Sequence, residues 1–116
     1  GGIAFVAEQL KTQHYQTLRI IFGMANDKDI DTVLSLLPKN GVYYFTQANI
    51  KRAFPSDQLL KKGQQAGLYG KSFSNIEEAI KTALADANKE DLIFIGGSNY
   101  VVGEALTFFE KHEEVT

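Results

Sequence analysis

Cysteine and tryptophan are absent from the 116 residues, methionine occurs once and proline twice. Without cysteine there is neither a disulfide framework nor a thiolate metal site, so the core must come from packing alone, and the composition is that expected of a cytoplasmic protein. Long apolar runs are missing too. The longest, residues 18–22, 41–45 and 92–95, fall far short of the ~20 residues that cross a bilayer. No charged-then-apolar signal segment opens the chain, and no membrane partner is expected. Charge of one sign is also lacking: 12 basic and 14 acidic residues leave a formal net charge of -2 without a basic stripe. A nucleic-acid partner therefore has no electrostatic support. No GxxxxGK[ST] stretch occurs, which excludes a nucleotide-binding phosphate loop within this chain.

What is present is an alternation of two periodicities. A hydrophobic content of 44% over 116 residues suffices for one domain spanning residues 1–116. The chain opens Gly1-Gly2-Ile3 without Met and enters a helical pattern at once (Ile3, Val6, Ala7, Leu10), so it is expected to be a piece of a longer protein. Residues 17–22 (TLRIIF) then read as a strand closed by Gly23. Residues 29–37 (DIDTVLSLL) place Ile30, Val33, Leu34 and Leu37 on one helical face, ended by Pro38 and Asn40-Gly41, before a strand at residues 42–45 (VYYF). Ser56 is the expected N-cap of a helix running to Gly67, a left-handed C-cap candidate, followed by a strand at residues 69–73. Ser74, with Glu77 three residues on, suggests a capping box for a helix burying Ile76, Ala79, Ile80, Ala83 and Leu84. Residues 92–95 (LIFI) form the last strand. Gly96-Gly97-Ser98 turns the chain, and residues 100–111 carry Val101, Val102, Ala105, Leu106 and Phe109 at helical spacing, with a polar tail at 111–116 expected to fray.

Apolar strands separated by helices imply parallel pairing with helices on both faces, a Rossmann-like three-layer αβα sandwich with a mainly parallel sheet. In such sheets ligands bind outside the carboxyl ends of the strands. Three loops there carry candidate chemistry. The first holds Asp27, Lys28 and Asp29: helix capping accounts for the acids, while Lys28 is not needed for a cap and could meet an anion. The second holds Arg52, either a solvated surface arginine or a bidentate grip on a carboxylate. In the third, Ser98 either caps the last helix or presents its hydroxyl and neighbouring N–H groups to an anion. Gly96, Gly97 and Gly103 do not fit the GxGxxG spacing, so a nicotinamide cofactor is not expected. His14 and His112 lie at expected helix ends without a third ligand nearby, which favours a structural or exposed role over zinc. The pairs Tyr43-Tyr44 and Phe108-Phe109 are expected to pack in the core.

The stretches RIIFGMANDKDIDTVLSLLP, VYYFTQANIKRAF and LIFIGGSNYVVGEAL, in this order and covering nearly the whole chain, resemble the C-terminal domain of the Mur ligase superfamily, specifically bacterial bifunctional folylpolyglutamate synthase/dihydrofolate synthase. The resemblance implies an ATP-dependent ligase that makes an acyl phosphate and joins L-glutamate to folate or dihydropteroate. ATP and Mg are implied for the full-length protein, none tightly held by this chain alone. The implied partner is an upstream central ATPase domain of the same chain, with an Asp-x-x-His-Asn segment expected just before Gly1. By the same resemblance Arg52 and Ser98 bind the incoming glutamate, and Asp27, Lys28 and Asp29 lie at the nucleotide-bearing interdomain cleft. One departure is Lys51, where the family has proline before its arginine.

Two other functions share the βα alternation. A Mur ligase acting on a peptidoglycan precursor would keep the fold and the acyl-phosphate route. A receiver-like signalling domain would need an exposed Asp at the carboxyl end of a central strand and a Lys after a late one, where this chain has Thr46-Gln47 and Gly96-Gly97.

Overall fold

A computed structural model describes residues 16–112, with the His112 side chain left aside. The expected helix at residues 3–10, His14 and the tail beyond residue 112 lie outside the described residues. Among the described residues four strands, β1 (Leu18–Gly23), β2 (Val42–Phe45), β3 (Tyr69–Ser72) and β4 (Leu92–Gly97), alternate with four helices, α1 (Ile30–Leu36), α2 (Ser56–Gln65), α3 (Ile76–Asp86) and α4 (Asn99–His112). The sheet order is β3-β2-β1-β4, and every pairing is parallel. Here β1 lies between β2 and β4. A receiver-like order would set β1 between the second and third strands, so that alternative does not fit.

Alternate residues of each strand serve opposite faces of the sheet. Leu18, Ile20 and Phe22 of β1 and Tyr43 and Phe45 of β2 pack with Ile30, Leu34 and Leu37 around α1 and with Leu59 of α2. Ile21 and Tyr44 pack on the other face with Ile76, Ala79, Ile80 and Ala83 of α3 and with Val101 and Ala105 of α4. A fully buried Leu or Ile such as Leu59 or Ile80 contributes about 1.5–3 kcal/mol relative to exposure. The expected three-layer sandwich is thus the observed one.

Several local expectations need correction. Pro55, not Ser56, precedes the first turn of α2, and the Ser56 N–H donates instead to Gln47 Oε1 at 2.9 Å. The half-buried Gln47 side chain therefore satisfies one of the free N–H groups of the first turn. Asn75, not Ser74, caps α3, accepting from Glu78 N–H at 2.9 Å. The cap falls where the backbone is still extended, at Asn75 with φ -148°. Gly67 does end α2 in the left-handed region, φ +85°. Its neighbours make the paired bonds Leu68 N–H to Gly63 O and Gly67 N–H to Gln64 O, the Schellman closure. On α4 Val101 and Ala105 are buried, but Val102, Leu106 and Phe109 are exposed, as is Leu84 on α3. Each of these helices buries one narrow stripe against the sheet, so flanking apolar positions stay outside it. Tyr43 and Tyr44 do lie in the core on opposite faces.

Candidate functional site at the carboxyl edge of the sheet

The loops after β1, β2 and β4 leave the carboxyl ends of neighbouring parallel strands. Backbone bonds hold them to one another. Asn26 N–H donates to Arg52 O at 2.6 Å and Phe54 N–H to Met24 O at 2.8 Å, flanking an antiparallel bridge between Ala25 and Ala53. Arg52 is therefore pinned at its backbone by the first loop, which supplies the rigidity that a proline at position 51 would otherwise give. Ser98 N–H donates to Gly23 O at 2.9 Å, joining the last turn to the same loop. Gly97 makes that approach possible: its φ is +110°, and a Cβ there would collide with the Gly23 carbonyl oxygen.

The side chains sort into those that converge and those that do not. Arg52 Nη1 lies 3.7 Å from Asp27 Oδ2, and its Nη2 donates to the Tyr100 hydroxyl at 3.0 Å. The guanidinium carbon is also 5.8 Å from the Tyr100 ring centroid, within cation–π range. Residues of the first two loops and of the first turn of α4 thus meet at one guanidinium. Lys28 is exposed beside them. Asp29 is drawn into local structure instead: it caps α1, accepting from the Thr32 hydroxyl at 2.7 Å. Ser98 is half-buried and caps α4, its hydroxyl accepting from Val101 N–H at 3.2 Å, while its own N–H and carbonyl are taken by Gly23 O and Val102 N–H.

Tyr100 escaped the reading of the sequence, where it was only the first residue of the last helix. Its position two residues after the Gly-Ser turn was the available signal. Beside this cluster a cleft of about 550 Å³ opens between α3 and α4, lined among others by Gln47, Asn49, Ile50, Glu104 and Phe108. Glu104 ties α4 to the second loop by accepting from Asn49 N–H at 2.7 Å. Beneath that loop Thr46 is fully buried, and its hydroxyl has no hydrogen-bond partner among the described residues.

A second ionic cluster lies near the amino ends of the strands. Arg19 Nε pairs with Asp91 Oδ2 at 2.9 Å, with side-chain exposures of 15% and 0%. Arg19 Nη1 donates to Tyr44 Oη, which donates in turn to Asp86 Oδ2, each at 2.9 Å. Burial acts to raise the Asp91 carboxyl, but bonds from Asn88 N–H and Arg19 outweigh it and hold the group below its ordinary value. Burial, with the Asp86 bond, raises the Tyr44 hydroxyl against the opposing pull of Arg19.

Among the described residues no three His, Asp or Glu side chains converge as a metal site. Lys28 and Arg52, exposed cations at one sheet edge, do fit anionic groups such as carboxylate or phosphate. Among the described residues no helix is long and apolar enough to cross a membrane.

The family model described as Mur ligase, glutamate ligase domain, matches residues 1–99. A Halobacterium salinarum protein named probable bifunctional folylpolyglutamate synthase/dihydropteroate synthase is 31% identical over 108 residues, 92% of this chain and 13% of the relative. The structure of E. coli FolC in complex with DHPP and ADP is similar at a TM-score of 0.86 and 25% identity, over 96% of this chain and 26% of that one. A bifunctional folylpolyglutamate synthase/dihydrofolate synthase with Mn, AMPPNP and L-glutamate bound shares the fold at a TM-score of 0.77 and 24% identity, over 93% of this chain and 26% of that one. The chain therefore spans about an eighth of the curated relative and a quarter of the solved ones, and it belongs to the Mur ligase glutamate ligase domain family.

Proposed function

We propose that this chain is the C-terminal domain of a cytoplasmic ATP-dependent ligase that adds L-glutamate to folate or dihydropteroate, working with an upstream ATPase domain of the same protein. The single observation that carries the proposal is the Arg52 guanidinium at the carboxyl edge, backbone-pinned yet more than half exposed at 58%. A planar cation so placed suits a carboxylate, which it can grip through two parallel N–H bonds. The ligands named in the structures of similar proteins, ADP, DHPP and L-glutamate, agree with that chemistry.

In this reading the γ-phosphoryl of ATP passes to the pteroate or folate carboxylate, releasing ADP and leaving an acyl phosphate. The glutamate amine then attacks the acyl carbon, the C–O bond to phosphate breaks, and the amine sheds a proton as the amide forms. Arg52 holds the glutamate carboxylate, and the Ser98 hydroxyl, fixed by its capping bond, offers a further contact. Lys28 faces phosphate oxygens across the interdomain cleft; Asp27 and Asp29 shape that loop, Asp29 by starting α1. In this reading Mg binding belongs to the upstream ATPase domain.

The test uses the full-length protein with ATP, Mg and L-glutamate. Glutamate-dependent phosphate release is expected with dihydropteroate or folate as acceptor, and none from residues 1–116 alone. Turnover with a nucleotide-sugar peptide instead would make the protein a peptidoglycan ligase, and ligation by residues 1–116 alone would overturn the division of roles.

A further inference from the structure

We infer that Tyr100 is a positioning residue for Arg52 and that Asp27 is a stand-in carboxylate which the substrate displaces. The inference rests on the proposed glutamate role of Arg52 and adds to it the two residues that set its affinity. A guanidinium offers its donors in one rigid plane, so its usefulness depends on that plane being aimed. Tyr100 aims it twice over: the hydroxyl accepts from Nη2 at 3.0 Å, and the ring lies under Cζ at 5.8 Å. Tyr100 is itself held, because it lies in the first turn of α4 two residues after Ser98, whose hydroxyl caps that helix at 3.2 Å and whose N–H is bonded to Gly23 O at 2.9 Å.

With Nη2 committed, the other terminal nitrogen faces Asp27. Their 3.7 Å separation, at side-chain exposures of 58% and 49%, is an ion pair too long for a hydrogen bond. So loose and solvated a pair stabilises the fold little. A substrate carboxylate making two short charge-assisted bonds exceeds it. Asp27 thus opposes the ligand modestly while Tyr100 favours it, and both act only through Arg52.

This makes a double-mutant cycle decisive. In the full-length protein, KM and kcat for L-glutamate are measured at saturating ATP, and those for ATP at saturating glutamate. The variants are Tyr100→Phe, Tyr100→Leu and Asp27→Asn, each alone and with Arg52→Ala. Tyr100→Leu is expected to raise the glutamate KM about three- to tenfold, and Tyr100→Phe, which keeps the ring, about two- to threefold. Asp27→Asn should lower it about two- to threefold. The ATP KM and kcat should hold, since uniform binding to the glutamate alone is altered. In the Arg52→Ala background all three effects should vanish. If Arg52→Ala impairs glutamate use but the Tyr100 and Asp27 effects are missing or survive its loss, the inference fails and the carboxylate reading stands. If Arg52→Ala leaves glutamate use unchanged, both fail. Melting temperatures of the variants, expected to match wild type because Tyr100 is 45% exposed, exclude misfolding as the cause.

Discussion

Near the amino ends of the strands Arg19 meets Asp91 and Tyr44; at the carboxyl edge Arg52 meets Asp27 and Tyr100. The ingredients are the same, an arginine between a carboxylate and a phenol, but the environments differ. The Arg19–Asp91 contact is 2.9 Å with the carboxylate fully enclosed, whereas the Arg52–Asp27 contact is 3.7 Å with both partners about half exposed. Enclosed charges must find each other, because each left alone in the interior would be strongly unfavourable. Exposed charges can exchange partners with a ligand at little loss. The first trio therefore holds the sheet together, tying β1 to the start of β4 and, through Tyr44 and Asp86, to the end of α3. The second is free to bind.

Breaking the buried trio should have the largest effect on stability. Asp91→Asn is expected to lower the melting temperature by several degrees at pH 7, since it leaves the Arg19 charge without its partner. It should also flatten the acid limb of the stability profile. The native Asp91 pKa lies below its unfolded value, so its contribution is full above the unfolded value of about 3.9 and is lost as pH falls through the lower native one. Melts of wild type and variant between pH 7 and pH 2 check this. Superimposable curves would remove the contrast between the two ends.

A smaller effect is expected at Asp29. Asp29→Ala should destabilise the domain by about 1 kcal/mol through loss of the α1 cap. Urea denaturation measures it. A loss of ligation by that variant with no loss of stability would instead give Asp29 a direct part in the cleft.

The architecture was legible in the sequence because it depends on local periodicity. VYYF of β2 reads as a strand since both its faces are buried, and Ile30, Leu34 and Leu37 mark the covered face of α1. The three loops could be placed because parallel strands put their carboxyl ends on one side. What could not be read depended on distance or on backbone conformation. The part played by Arg19 in TLRIIF was not legible because its partner, Asp91, lies 72 residues away. The caps at Pro55 and Asn75 rather than Ser56 and Ser74 depend on where the chain stops being extended. Val102, Leu106 and Phe109 had the right spacing for burial, but only the packing of α4 on β4 decides which stripe is covered. Tyr100 acquires meaning only when the end of β4 is set beside that of β2, across β1.

The smallest effect on stability and the largest on function should coincide at Arg52. As an exposed residue it contributes little to folding, so Arg52→Ala should melt within experimental error of wild type. A charge-assisted bond to carboxylate of about 1.5–3 kcal/mol corresponds to a roughly 10- to 150-fold loss of kcat/KM for glutamate, with that for ATP nearly unchanged. Steady-state kinetics of full-length Arg52→Ala, varying glutamate and ATP separately, are the most direct test of the account. A selective loss for glutamate in a protein of normal stability is the expected result, and glutamate kcat/KM equal to wild type would contradict it.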